Sequence, residues 1–166
     1  TRDVADISVI VAAYQAAGTI CRSLRSIAAQ TLKPREVVVV DDGSTDGTFQ
    51  AVEAEAQNMN GIRLRVVRTE ENRGAGAARN RAIEESTEPF LAFLDADDEW
   101  LPEKLDHSMA VLEESAAILV AHDYWTGAVD KAQQGWRLAR PYVETYAQRP
   151  VTWIVIAALL LLWMLL

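Results

Sequence analysis

Apolar positions along the chain switch repeatedly between two periods. ISVIVA, Ile7 to Ala12, is a short apolar run of the kind a buried strand makes. From Ala17 to Ala29 the spacing changes, with Ile20, Leu24 and Ile27 on one helical face, and Pro34 closes that region. Glu36 to Val40 is a second strand. Its four consecutive valines predict cover on both faces, as in a parallel sheet. Thr45 or Asp46 is placed to cap a helix whose Phe49, Val52 and Ala56 share a face. Ile62 to Val67 reads as a third strand, and its alternating arginines put it near a sheet edge. Gly74 to Ser86 predicts a helix with Ala75, Ala78 and Ala82 inward, and Phe90 to Leu94 a fourth strand. Pro102 suits the first turn of a helix carrying Leu105, Met109 and Leu112, and Ala117 to Ala121 reads as a fifth strand. Beyond that the periodicity fades.

Strand and helix alternate four times, so the fold class is α/β with a mostly parallel sheet flanked by helices. Ligands of such sheets bind beyond the carboxyl ends of the strands. The residues that follow each strand are therefore the informative ones: Ala13, Tyr14 and Gln15; Asp41, Asp42, Gly43 and Ser44; Asp95, Asp97 and Asp98. Polar or aromatic groups at three separate strand ends would meet in one crevice, and that convergence points to a site more strongly than any single motif.

Composition narrows the class of ligand. Half of the 166 residues are hydrophobic and 24% are charged, which is a globular balance. The formal net charge of -8 leaves no basic stripe for a nucleic acid, but it does not disfavour a small anion held by local donors. A single cysteine, Cys21, rules out a disulfide within the chain and fits a reducing, cytoplasmic setting; it reads as a small core residue. His107 and His122 are isolated and read as structural or solvated. No signal peptide is visible at Thr1 to Asp6.

The other end is strongly apolar. VTWIVIAALLLLWMLL, residues 151–166, carries no charge. As a helix it would measure about 24 Å against roughly 30 Å of bilayer hydrocarbon. Arg137, Arg140 and Arg149 precede it, as expected on a cytoplasmic flank. Three readings compete: the beginning of a membrane anchor at the inner face of the membrane, a core segment or oligomer contact, and an aberrant tail. The expected organisation is an α/β domain over residues 1–130, an irregular stretch over 131–150, and the apolar segment over 151–166.

Three stretches carry chemistry, each beside a plainer reading. VVVVDDGSTDGT, residues 37–48, is at least a capped strand-to-helix turn. That reading does not explain two adjacent acids, one of which would accept hydrogen bonds from a base or a ribose. FLAFLDADDEW, residues 90–100, drives a strand into Asp95, Asp97, Asp98 and Glu99. Carboxylates so close repel one another unless water or a cation lies among them. Hard divalent cations such as Mg²⁺ or Mn²⁺ take such oxygens and share their remaining positions with water and phosphates. The plainer reading is a solvated loop in which Asp98 and Glu99 cap the helix near Pro102. An EF-hand is excluded, since the glycine at the sixth loop position and the glutamate at the twelfth are missing. ENRGAGAARNRAI, residues 71–83, holds half a dinucleotide fingerprint, with Arg79 where a third glycine would stand. Asn72 and Gly74 would open a helix N-terminus toward an anion. Arg79 would reach a phosphate or pair with acids.

In this order and spacing, ISVIVAAYQ, VVVVDDGSTDGT, ENRGAGAARNRAI and FLAFLDADDEWLPEKL resemble the family 2 glycosyltransferases over about residues 6–115. The resemblance implies a GT-A fold with a nucleotide-sugar-binding domain over residues 1–130 and the start of an acceptor region over 131–150, an inverting mechanism and bacterial-type cell-envelope polysaccharide synthesis. It implies a nucleotide-diphosphate sugar donor, a saccharide or lipid-linked acceptor, and Mg²⁺ or Mn²⁺. By similarity Tyr14 stacks near the nucleobase, and Ala12 offers it backbone contacts. Asp42 accepts from the base with Asp41 beside it, and Arg79 lies near the nucleotide. Asp95 and Asp97 match the D-x-D motif, Asp95 toward the ribose or sugar and Asp97 on the metal. Ala13 and Gln15 depart from the usual proline and asparagine. No catalytic base with the family's context is found after residue 125, where only Asp130 and Glu144 are acidic; the chain resembles the donor half of a transferase, cut before the acceptor region. Two alternatives from other classes are a non-catalytic nucleotide-sugar-binding module and a nucleotidyltransferase. The second would need a basic, glycine-rich loop after the first strand, and AAYQAAGT has no lysine or arginine. A redox dinucleotide protein lacks its third glycine.

Overall fold

The computed structural model of the protein describes residues 3–115 and 119–120. The expected fifth strand at 117–121, His122, and the stretches 131–150 and 151–166 lie wholly or mostly outside the described residues. Two compact units divide the chain, Thr1–His107 and Ser108–Leu166. Strands β1 (Val4–Ala13), β2 (Lys33–Asp41), β3 (Arg63–Arg68) and β4 (Phe90–Phe93) alternate with helices α1 (Ile20–Ala28), α2 (Thr48–Glu55), α3 (Ala75–Glu85) and α4 (Lys104–Ser115). A 3₁₀ turn, Ala56–Asn58, follows α2. The four strands form one parallel sheet in the order β3-β2-β1-β4. Among the described residues no helix is long and apolar enough to cross a membrane.

The core follows from strand alternation. Val37, Val38, Val39 and Val40 are all fully buried, because β2 lies between β1 and β3 with helices on both faces. Ile10, Val38 and Val40 face α3, which packs Ala78 and Ala82 against them. The alternate residues of the strands face α1 and α2, where Ile20, Leu24 and Ile27 are fully buried. The alanines of α3 let that helix lie close to the sheet. At roughly 25 cal/mol per Å² such burial is the main stabilising contribution, and replacing a buried leucine like Leu24 by alanine costs about 2–5 kcal/mol.

Several expectations shift by a turn or a face. Pro34 does not end a helical region but lies within β2, opposite Ala5, where the β1–β2 register is irregular between Ala5 and Ser8. A bulge tolerates a residue without an N–H. Ala75 and Ala56 are exposed rather than inward, and the inward residue near the end of α2 is Glu55, buried against Arg25 at 2.7 Å. Cys21 is only half-buried, with its thiol near the Ala51 carbonyl. β3 is an edge strand, as its arginines suggested; Arg63 and Arg65 pair with Glu36 and Glu85.

Candidate functional site

The carboxyl ends of the strands share one end of the sheet, and hydrogen bonds stitch the segments that leave them. Asp42 anchors the centre. Its side chain is 2% exposed, and its carboxylate accepts the amide N–H groups of Arg73 at 3.0 Å and Gly74 at 2.7 Å, with the Thr69 hydroxyl at 3.1 Å. The opening of α3 is thus held by the chain's own carboxylate. Asn72 and Gly74 do form a helix entrance, but the Gly74 N–H is taken by Asp42 and by Asn72 Oδ1 rather than left open to an external anion. Bonds from amides to a charged acceptor are worth about 1.5–3 kcal/mol each, which explains why a carboxylate is stable there.

Asp41 is fully buried and serves the turn beside it. Oδ1 accepts the Ser44 N–H at 3.1 Å. Oδ2 is buried without a hydrogen-bond partner, and Arg68 Nε stands 3.6 Å away. Arg68 also donates to the Ser44 carbonyl at 2.7 Å and lies over the Phe49 ring. Gly43, at φ +73°, completes the turn; a Cβ there would stand 2.8 Å from the Glu71 carbonyl carbon. Arg68, Thr69 and Glu70 line a shallow cleft of about 400 Å³ with Gly43, Ser44 and Thr45.

On the β1 side, Tyr14 follows the strand and is 51% exposed. The Ile10 carbonyl accepts the Leu94 N–H and ends the β4 ladder. Ala12, two residues on, points its backbone groups to the same side, past the end of β4. Gln15, Ala16 and Ala17 are tied to the loop after β2. Asp46 does not cap α2 alone, since Gly47 is the N-cap; Asp46 accepts the Thr48 N–H at 3.0 Å and the Ala17 N–H at 3.0 Å. The Thr48 hydroxyl beside it holds its carboxyl below the usual range.

The acidic loop lies along α1. Ser23 Oγ donates to the Ala96 carbonyl, Ser26 Oγ accepts the Trp100 N–H, and Gln30 holds both the Leu101 carbonyl and the Leu105 N–H. Arg22 donates to the Asp97 carbonyl at 3.1 Å and pairs with Glu99 at 2.7 Å. Glu99 therefore braces the loop against α1. Arg79, mid-way along α3, reaches Asp95 Oδ1 at 2.6 Å. Asp97 and Asp98 are exposed. Partial burial and the negative charges of Asp97 and Asp95 push the Asp98 carboxyl up. Negative potential is therefore concentrated at this strand end. Among the described residues no three carboxylate, histidine or cysteine side chains gather to hold a metal by themselves. The all-oxygen donors nonetheless suit a hard divalent cation whose coordination a phosphate ligand completes.

The structure thus joins Gln15 with Thr45, Asp42 with the start of α3, and Arg79 with Asp95, so α3 spans from the β2 end to the β4 end. Arg22, Ser23, Ser26, Gln30, Arg68 and Thr69 support this arrangement and were not singled out in the sequence. Ser23 and Ser26 lie on α1 and Gln30 just beyond it, and nothing local in the sequence marks their distant partners.

Residues 8–157 match the family model described as glycosyl transferase family 2. The succinoglycan biosynthesis protein ExoU of Rhizobium meliloti (strain 1021) is 48% identical over 100 residues, 60% of this chain and 28% of that protein. S. aureus TarS 1-349 in complex with UDP superposes with a TM-score of 0.61 at 38% identity, covering 67% of this chain and 33% of that one. The mannosyltransferase PcManGT from Pyrobaculum calidifontis, in complex with GDP-Man and Mn2+, gives 0.61 at 33% identity, covering 68% and 33%. The chain spans about a third or less of the length of these three proteins. It belongs to glycosyl transferase family 2, and its sheet has the GT-A fold of these neighbours.

Proposed function

We propose that this chain is the donor-binding part of an inverting glycosyltransferase that takes a sugar from a nucleoside diphosphate to an acceptor hydroxyl, in cell-envelope polysaccharide synthesis. The observation that carries the reading is the Arg79–Asp95 pair beside the exposed Asp97, at the strand ends where Tyr14 and Asp42 also lie. The UDP complex of TarS and the GDP-Man and Mn2+ complex of PcManGT support the class of donor and the cation.

In this reading Tyr14 stacks on the nucleobase and the Ala12 backbone meets its edge, while Asp42, whose carboxylate is taken by Arg73, Gly74 and Thr69, braces that wall and Asp41 fixes the turn. Arg79 lies by the diphosphate and Asp95 by the ribose or sugar. Asp97 would hold Mg²⁺ or Mn²⁺, which when bound stabilises the charge developing on the departing diphosphate. The acceptor oxygen attacks the anomeric carbon from the face opposite the diphosphate. The bond to the diphosphate oxygen breaks, its electron pair leaves with the nucleotide, and configuration inverts. The hydroxyl proton passes to a base from the acceptor side, to which no described residue is assigned; such help contributes about 10²- to 10⁴-fold. The acceptor is a saccharide or lipid-linked sugar.

The test is nucleoside diphosphate release from UDP-, GDP- and dTDP-sugars with Mn²⁺ and saccharide acceptors. One donor should be consumed, and Asp95→Asn or Asp97→Asn should lower release by about 10²-fold or more. Release that both substitutions leave unchanged refutes the reading.

A further inference from the structure

The loops after β1 and β2 are cross-linked around one strained residue. Gln15 has φ +50°, in the left-handed region that residues other than glycine, asparagine and aspartate seldom enter. Its side-chain amide bonds in both directions to Thr45: Oε1 accepts the Thr45 N–H at 3.1 Å, and Nε2 donates to the Thr45 hydroxyl at 3.1 Å. Its own N–H donates to Ser44 Oγ at 2.9 Å. The next two amides continue the seam, Ala16 to Thr48 Oγ1 at 2.9 Å and Ala17 to Asp46 Oδ2 at 3.0 Å. Tyr14 projects from the residue just before this seam and is half exposed at the strand end.

Left-handed backbone in a non-glycine residue persists only where its surroundings over-determine it, and it gathers at functional sites. Here the surroundings are the loop that carries Asp41 and Asp42. Without the two amide bonds the chain at Gln15 would relax toward ordinary φ, rotating the adjoining peptide and re-aiming Tyr14.

We propose that Gln15 is a positioning residue for nucleobase recognition: it locks the β1 loop onto the β2 loop and so fixes the backbone from which Tyr14 presents its ring. This rests on the donor-binding reading above and adds a residue that itself touches no ligand. The lock should matter for the base alone. The diphosphate would be met by Arg79 and the acidic strand end, which the Gln15 seam does not touch.

Two variants separate positioning from general damage. Gln15→Gly permits the left-handed backbone without strain but no longer holds the chain in it, since the amide is deleted; Gln15→Ala deletes the amide and keeps the strain. The experiment is calorimetric titration of UDP, GDP, dTDP and inorganic pyrophosphate, each with Mn²⁺, into the parent chain and both variants, with thermal midpoints alongside. Base stacking makes a large enough contribution that mispositioning it should lower the nucleoside-diphosphate-to-pyrophosphate affinity ratio about tenfold in both variants. Pyrophosphate affinity should stay unchanged, and Gln15→Gly should keep the parent's midpoint. A ratio retained in Gln15→Gly overturns the proposal, as does an equal loss for nucleotide and pyrophosphate. If the parent chain itself binds none of UDP, GDP and dTDP, it is the donor-binding reading that fails, and the positioning role goes with it.

Discussion

Replacing Asp42 by alanine should detach the start of α3 from the sheet. The carboxylate is almost fully buried and receives three donors: the Arg73 N–H at 3.0 Å, the Gly74 N–H at 2.7 Å and the Thr69 hydroxyl at 3.1 Å. The losses are unequal. The Gly74 N–H keeps Asn72 Oδ1 at 2.9 Å, and Thr69 keeps the Glu71 carbonyl at 2.9 Å. Taking one full charge-assisted bond at about 2 kcal/mol, and two partly replaced bonds that together add about 1, the cost is about 3 kcal/mol. For a domain near this size that lowers the thermal midpoint by roughly 10 °C. Asp42→Asn keeps one acceptor but turns an NH₂ toward the donors, and should cost about 2 kcal/mol. Urea unfolding followed by tryptophan fluorescence measures both, and an unchanged slope would assign the loss to the native state. Amide exchange at Arg73 and Gly74 should quicken selectively in Asp42→Ala. A loss below about 0.5 kcal/mol with protected amides would refute the anchoring role.

Other perturbations are equally direct. Burial by itself would raise the carboxyl of Glu36, but bonds from Ser8, Thr87 and Arg63 outweigh it and hold it below the usual range. Its stabilisation is therefore complete above about pH 4.5 and lost as pH falls through its lowered native value; stability against pH should be flatter in Glu36→Gln, and parallel curves would contradict this. Gly43→Ala combines φ +73° with a Cβ 2.8 Å from backbone, and should cost at least about 2 kcal/mol in urea titrations. Ser26→Ala removes the acceptor of the Trp100 N–H and should cost about 1 kcal/mol and speed exchange at that amide. Arg79→Gln removes the partner of Asp95, and nucleotide affinity should fall about tenfold in calorimetry while the fold is kept.

What was legible in the sequence was the period of the buried positions. The valines of β2 and the Ile20, Leu24, Ile27 stripe show burial directly, because parallel strands and packed helices repeat every two or about 3.6 residues. Alternation of elements gave the parallel sheet, and the residues after each strand gave the crevice. Helix phase at the ends was not legible. Ala75 and Ala56 are small enough to sit on either face, and only packing decides. Nor were the roles of Gln15, Arg68 and the Ser23, Ser26 and Gln30 row. Their partners lie roughly 24 to 75 residues away in the chain, and a hydrogen bond over that separation leaves no periodic trace. The same holds for the start of α3. Asn72 and Gly74 mark a helix entrance, but nothing local shows that Asp42 fills it. The paired acids Asp41 and Asp42 divide their work for a similar reason, since strand alternation sends one into the turn and the other toward Gly74.

The central claim is that the acidic strand end binds a nucleoside diphosphate together with a divalent cation. Calorimetric titration of UDP, GDP and dTDP into the chain, with and without Mn²⁺ and with Asp97→Asn as the control, tests it most directly. The account expects one nucleotide to bind only when Mn²⁺ is present, with that dependence lost in Asp97→Asn. At a hundredfold excess over its dissociation constant it should stabilise the fold by about 2.7 kcal/mol. Binding of none of the three nucleotides, or binding indifferent to both Mn²⁺ and Asp97, would contradict it.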